Sequence, residues 1–247
     1  PAPLSATGPD TTMDTQDNDS AVFSFEFFPP RTEAGVSNLQ QTRDELARLK
    51  PRFFSVTFGA GGSTQSATLE TVLDIQKESG IQAAPHLSCI GSTREKISEI
   101  LKVYVDNGIE HIVALRGDMP SGLVEPGEFH YANELVSFIR EQTGDHFHIE
   151  VAAYPEFHPQ ASSASADLDN FVRKVNAGAD SAITQYFYNF DAYQRFVENV
   201  EKRGVSIPIV PGIMPITNYQ NLARFSSACG AEIPRWLGVR LEEMGDD

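Results

Sequence analysis

The sequence predicts an α/β protein built as a (β/α)8 barrel of the TIM type, with its eighth βα unit absent from this chain. Three observations predict it. Short runs rich in Val, Ile and Phe recur at 22–28, 53–58, 82–89, 111–115, 148–154, 181–187 and 207–213. Segments with helical spacing of apolar residues separate them, at a period of roughly 26–37 residues, which implies right-handed βαβ crossovers and a parallel sheet covered by helices. Polar residues stand at the C-terminal end of nearly every run, where barrel sites are built, and no G-x-G-x-x-G follows the first run as in an open dinucleotide fold.

Taken in order, residues 1–20 hold much Pro, Thr, Asp and Asn and almost nothing apolar, which predicts a flexible leader. The barrel is expected over 21–247. In the first run, alternation sets Phe23, Phe25 and Phe27 on one face, packed under helices, and Ser24 and Glu26 on the other, turned into the barrel. Helix stripes follow, such as Ile97, Ile100, Leu101, Tyr104 and Val105, or Leu168, Phe171, Val172 and Val175. Gly80, Gly108, Gly144, Gly178 and Gly204 suit left-handed helix ends. Ser92-Thr-Arg-Glu95 matches a capping box. Residues 233–244 read as an extra helix leading towards a last strand. A barrel short of one strand leaves two unpaired edges, so the sequence predicts a truncated piece of a longer protein.

Composition narrows the function. The 247 residues carry 19 basic and 34 acidic side chains, a net charge of −15 that repels polyanions and disfavours nucleic acid. No run of about 18 apolar residues or secretory start is present, which predicts a cytoplasmic protein without a membrane anchor. Cys89 and Cys229 form no C-x-x-C pair and read as reduced, structural thiols.

Several segments carry residues suited to chemistry, each with an ordinary alternative. Glu26 near the barrel mouth is expected to have a raised pKa, fit for a general acid, or else to be a structural carboxylate paired with Arg. Leu115-Arg-Gly-Asp-Met-Pro120 offers a cation, a glycine that lets a ligand approach the backbone, and an anion; an Arg116–Asp118 ion pair is the alternative. The glycine-rich stretch 56–64 lacks the lysine of a P-loop and leaves a structural turn or a close approach to a flat ligand. His86 and His158 suit ligand contact or satisfied core positions better than a metal. Asp167, Asn170, Arg173 and Lys174 form a polar face at the start of one helix, solvated or ligand-binding. Gln185 closes the sixth run with an amide that can face a heterocycle or be buried.

Together, Phe25-Glu-Phe-Phe-Pro-Pro30, Val56-Thr-Phe-Gly-Ala60, Pro85-His86-Leu87, Leu115-Arg-Gly-Asp118, Ala152-Ala-Tyr-Pro-Glu-Phe-His-Pro159, Ala182-Ile-Thr-Gln-Tyr-Phe187 and Pro211-Gly-Ile-Met-Pro215 resemble the bacterial type of the methylenetetrahydrofolate reductase family. The resemblance runs in order from about residue 22 to the end. It implies a (β/α)8 barrel holding FAD and a homo-oligomer. The implied reaction is ping-pong: NADH or NADPH reduces FAD, and 5,10-methylenetetrahydrofolate then leaves as 5-methyltetrahydrofolate.

The resemblance implies Glu26 as general acid and Asp118 as the acid near flavin and pterin. It further implies Thr57, His86, Arg116, Gly117, Asp118, Tyr154 and His158 as flavin contacts, and Ala132 and Ala161 as close-packed neighbours of FAD. Asp167, Asn170, Arg173 and Lys174 would form its ribose- and phosphate-binding face. Gln185 would meet folate and nicotinamide in turn, with Phe58 and Ala60 beside NADH. Tyr219 stands where relatives carry a stacking Phe, keeping the π-face and adding a hydroxyl. Two other readings compete: a glycoside hydrolase using Glu26 and Asp118 as paired carboxylates, and a flavin-binding but inactive barrel.

Overall fold

The computed structural model describes residues 22–58, 64–118 and 127–244. The expected leader, Ala60 and the Met119-Pro120 end of the fourth-strand segment lie outside them. Seven parallel strands follow in chain order: β1 (Phe25–Phe27), β2 (Phe54–Val56), β3 (Ala83–Ser88), β4 (His111–Leu115), β5 (His148–Ala153), β6 (Ser181–Thr184) and β7 (Ile209–Val210). Helices follow each strand: α1 (Glu33–Ala47), α2 (Thr64–Ser79), α3 (Arg94–Asp106), α4 (Ala132–Thr143), α5 (Ala164–Asn176), α6 (Phe190–Glu201) and α7 (Tyr219–Cys229), with α8 (Arg235–Met244) after them. This is the (β/α)8 architecture through its seventh strand, open between β1 and β7 among the described residues.

Alternation along each strand divides two environments. Phe54, Val56, Leu87, Ile112, Ala114, Ile149 and Val151 face outward into the main core, where Ile97, Ile100, Leu101 and Tyr104 of α3 and Leu135 and Ile139 of α4 meet them. Phe25 and Phe27 join this core by stacking on Phe54 at 6.2 and 5.3 Å. Phe23 does not: it is 38% exposed and touches Phe25 edge-on, because the ladder begins only at Phe25. Val105 also falls outside its expected stripe, exposed on the far side of α3.

The inward face is polar at both ends. Near the N-terminal ends of the strands, Ser181 Oγ donates to Glu150 Oε1 at 3.1 Å and contacts His148 Nε2 at 2.7 Å, while His111 Nε2 stands 3.5 Å from Glu150 Oε2. Ser181 has one proton and gives it to the carboxylate, so His148 donates to Ser181. Phe53, Ala84 and Val113 form a small apolar plug between this floor and the mouth.

Three local expectations are corrected. Helix α3 starts one residue late: Thr93, not Ser92, is the cap and accepts from Lys96 N. Glu128 takes the next exposed donor, Arg94 N, at 2.7 Å, so a distant carboxylate replaces the local box. Helix α5 begins at Ala164 under a Ser163 cap, which puts Asp167 in its first turn but Arg173 and Lys174 in its last. The five punctuating glycines all take positive φ, but Gly144 (ψ −129°) and Gly178 (φ 115°) lie outside the left-handed helical well.

Candidate active site

Two constellations form at the C-terminal ends of the strands. In the first, Glu26 of β1 and His86 of β3 reach across Ser55 and Ala84, which the register holds level with Glu26 on β2 and β3. Glu26 Oε2 and His86 Nε2 are 3.2 Å apart; the imidazole is buried and the carboxylate side chain 47% exposed. The contact falls short of hydrogen-bond geometry and becomes an ion pair only when the imidazole is protonated. Burial alone would raise the Glu26 pKa, but His86 more than offsets it and holds the carboxyl below its ordinary value. The expected upward shift is therefore wrong for the protein by itself, because the decisive neighbour is an imidazole from another strand.

The second constellation is a cleft of about 280 Å³ between the ends of β4 and β5 and the helices α4 and α5. It gathers ten sequence-chosen residues. Arg116, Gly117 and Asp118 enter after β4, Ala132 at the start of α4, and Tyr154, His158 and Ala161 after β5; Asp167, Asn170 and Lys174 enter from α5.

The turn at Gly117 is held from β3. Ser88 Oγ and Ile90 N both donate to the Arg116 carbonyl, each at 2.9 Å. Gly117 has φ +85°, and a Cβ there would lie 1.8 Å from Ser88 Oγ. Gly117→Ala is expected to cost about 2–4 kcal/mol, from left-handed strain and overpacking together, read as a lower urea midpoint. An unchanged midpoint would mean that the turn relaxes without loss.

Arg116 and Asp118 form no ion pair among the described residues, which removes that alternative. Arg116 Nε donates to the Gly117 carbonyl at 3.2 Å and Nη2 to Gln160 Oε1 at 2.5 Å. Tyr154 keeps its proton: burial first, then the charges of Asp118 and Asp167, push its hydroxyl up to about 12. His158 packs edge-on against it at 4.6 Å. Burial lowers the His158 pKa, and Arg116 and Lys174 add to that effect while Asp167 opposes it. Because Gln160 N donates to His158 Nδ1, the neutral ring carries its proton on Nε2. Asp167 Oδ2 accepts from His158 N at 2.9 Å and so fixes this loop. Lys174 Nζ turns inward onto the Ala152 carbonyl, and burial brings the ammonium down to about 8.

The remaining candidates stand outside the cleft lining. Thr57 is half-buried, its N–H donating to Phe27 and its carbonyl accepting from Thr68. Phe58 is half-buried beside it. Arg173 is exposed and donates to Asn170 Oδ1 at 2.7 Å. Gln185 Oε1 accepts from the adjacent Tyr186 N at 3.0 Å. Tyr219 turns its hydroxyl towards α8, where a Cβ on Gly238 would lie 3.2 Å from it.

The sequence reading missed Gln160, which lies two residues after His158 and one past the end of that motif. It also missed Glu156, whose Oε2 accepts from Glu232 N at 2.8 Å and ties the loop after β5 to the segment between α7 and α8. Cys89 is inert as expected of a structural thiol, since burial pushes it up to about 12.

With this geometry in hand, comparison with known proteins is decisive. The family model for methylenetetrahydrofolate reductase matches residues 12–247. This chain belongs to the methylenetetrahydrofolate reductase family. It is 44% identical over 224 residues to 5,10-methylenetetrahydrofolate reductase of Salmonella typhimurium, covering 91% of this chain and 74% of the relative. It is 42% identical over 238 residues to methylenetetrahydrofolate reductase (NADH) 1 of Arabidopsis thaliana, covering 91% of this chain and 40% of that one. Among solved structures, a Clostridium thermocellum protein that binds two copies of 5-methyl-5,6,7,8-tetrahydrofolic acid superposes with a TM-score of 0.67 at 17% identity. That match covers 92% of this chain and 77% of the other, and it speaks to the fold. Family membership displaces the glycoside hydrolase reading.

Proposed function

We propose that this methylenetetrahydrofolate reductase family member reduces 5,10-methylenetetrahydrofolate to 5-methyltetrahydrofolate, with FAD as cofactor and NADH or NADPH as reductant, in a ping-pong sequence. The observation that carries the reading is the cleft after β4 and β5, where ten residues chosen for a flavin converge.

The residue types fit FAD. Ala132 and Ala161 leave room for a flat ring system, and Arg116 and Lys174 supply positive charge on two sides of the cleft. Bound FAD supplies the hydride chemistry. In this reading Arg116, Gly117, Asp118, Tyr154 and His158 hold the ring portion, with Thr57 and His86 beside it. Asp167, Asn170, Arg173 and Lys174 hold the ribose and phosphates, where the cations complement the pyrophosphate.

Glu26 protonates the leaving nitrogen as the folate's five-membered ring opens to an iminium. The protein without substrate keeps this carboxyl ionised through His86. Burial already pushes in the opposite direction, and the side chain is still 47% exposed. A pterin seated over it removes water and strengthens that push towards the protonated acid. Asp118 faces the cationic iminium and stabilises it electrostatically. Phe58, Ala60, Gln185 and Tyr219 are left for folate and nicotinamide, which occupy the same face in turn.

A visible spectrum of the purified full-length protein tests the proposal. A flavin spectrum is expected that bleaches with anaerobic NADH or NADPH and recovers on adding methylenetetrahydrofolate. A colourless protein that FAD cannot reconstitute would overturn the cofactor assignment. Bleaching without recovery would leave a flavin-binding barrel that lacks the folate reaction.

A further inference from the structure

The cleft holds two carboxylates, Asp118 and Asp167, whose charge reaches Tyr154. Arg116 pairs with neither among the described residues. Its side chain spans instead from the turn after β4 to the loop after β5 and meets a neutral partner, Gln160 Oε1, at 2.5 Å. The other bond, to its neighbour's carbonyl at 3.2 Å, also leaves the charge intact. A guanidinium has five N–H donors, and these bonds occupy Nε and Nη2, leaving Nη1 without a protein partner among the described residues. Gln160 and Arg116 both line the cleft.

We propose that Gln160 is a positioning residue: its amide oxygen holds the Arg116 guanidinium across the cleft without cancelling its charge, so that the cation is kept for negative charge on the bound flavin. The inference rests on the flavin reading above. A glutamate at this position would hold the same geometry but form an ion pair, and its own charge would oppose the negative charge that the flavin gains on reduction. An apolar residue of similar length would leave the guanidinium free to turn towards Asp118. The backbone bond from Gln160 N to His158 Nδ1 is independent of the side chain and survives either substitution.

The two variants therefore separate charge from position. FAD affinity is measured by flavin-fluorescence titration of the apoprotein, and the midpoint potential of the holoenzyme by dye equilibration. Gln160→Met is expected to weaken FAD binding about 3–10-fold, the net worth of one ordinary hydrogen bond lost from the site's support. Gln160→Glu is expected to shift the potential to more negative values, which loss of loop structure alone does not produce. Gln160 is exposed at the surface of the cleft, so circular dichroism of both variants should match that of the parent protein. If the parent protein binds flavin and both variants match it in affinity and potential, the positioning role of Gln160 is wrong and the flavin reading stands. If the parent protein binds no flavin, the reading falls and this inference with it.

Discussion

Glu26→Gln is expected to lower methylenetetrahydrofolate reduction by about 10²–10⁴-fold, the range over which a positioned general acid acts, while leaving flavin binding and its reduction by NADH or NADPH within a few-fold of the parent protein. The amide is close to isosteric with the carboxyl and can still face His86, so the loss tests proton donation rather than folding. Anaerobic stopped-flow measurement of the two half-reactions separates them. Normal reoxidation by the folate in this variant would sink the assignment of Glu26.

A second signature follows from the His86 contact. The folded-state pKa of Glu26 is lowered, so the group contributes stability at pH values above its unfolded pKa. That contribution is lost as pH falls through the folded value. The side chain is 47% exposed, so the contribution is modest. Unfolding curves of Glu26→Gln should therefore converge on those of the parent protein at acid pH and separate as the pH rises above the carboxyl's unfolded value.

The strand count was legible because parallel strands buried on both faces read as apolar runs. Their lengths were not. The first run extends over seven residues in sequence, whereas β1 pairs only Phe25–Phe27, because Phe23 and Phe28 continue the pattern beyond the point where β2 offers partners. Local helix starts failed wherever a distant group intervened, as when Glu128 took the Arg94 N–H. The His111–Glu150–Ser181–His148 floor crosses three strands and could be read from no single segment, since each polar residue sits in an otherwise apolar run.

The cleft was more legible than the acid. Residues at strand ends share one face of the barrel by topology alone, so motifs at the ends of β4 and β5 converge once the strand order is right. Alternation likewise turned Glu26 inward. Its pKa depended instead on a contact with His86, an imidazole two strands away, and burial without that partner predicts the opposite direction.

Lys174→Met is the variant in which binding and stability should move in opposite directions. The ammonium has a reference pKa of 10.5 that burial brings to about 8 in the folded protein, with Asp167 partly opposing the change. Between those values the unfolded chain binds more protons, so Lys174 makes stability rise with pH from about 8 to about 10.5, and its cost is fully present below 8. Replacing it by Met removes that cost, together with the cation contact over the Phe171 ring at 5.6 Å. Ala152, whose carbonyl loses this donor, is half-buried and lines the cleft. The apoprotein of Lys174→Met should therefore unfold at a higher temperature at pH 7. Its affinity for FAD should nonetheless fall about 10–100-fold, the worth of a charge-assisted bond to phosphate. The pH profile completes the argument, because an anion binds the charged form and draws a proton onto Lys174. FAD affinity of the parent protein should decline as pH rises above about 8, and the Met variant should lack that decline. Equal affinity and an identical profile in the two proteins would remove Lys174 from the phosphate-binding face.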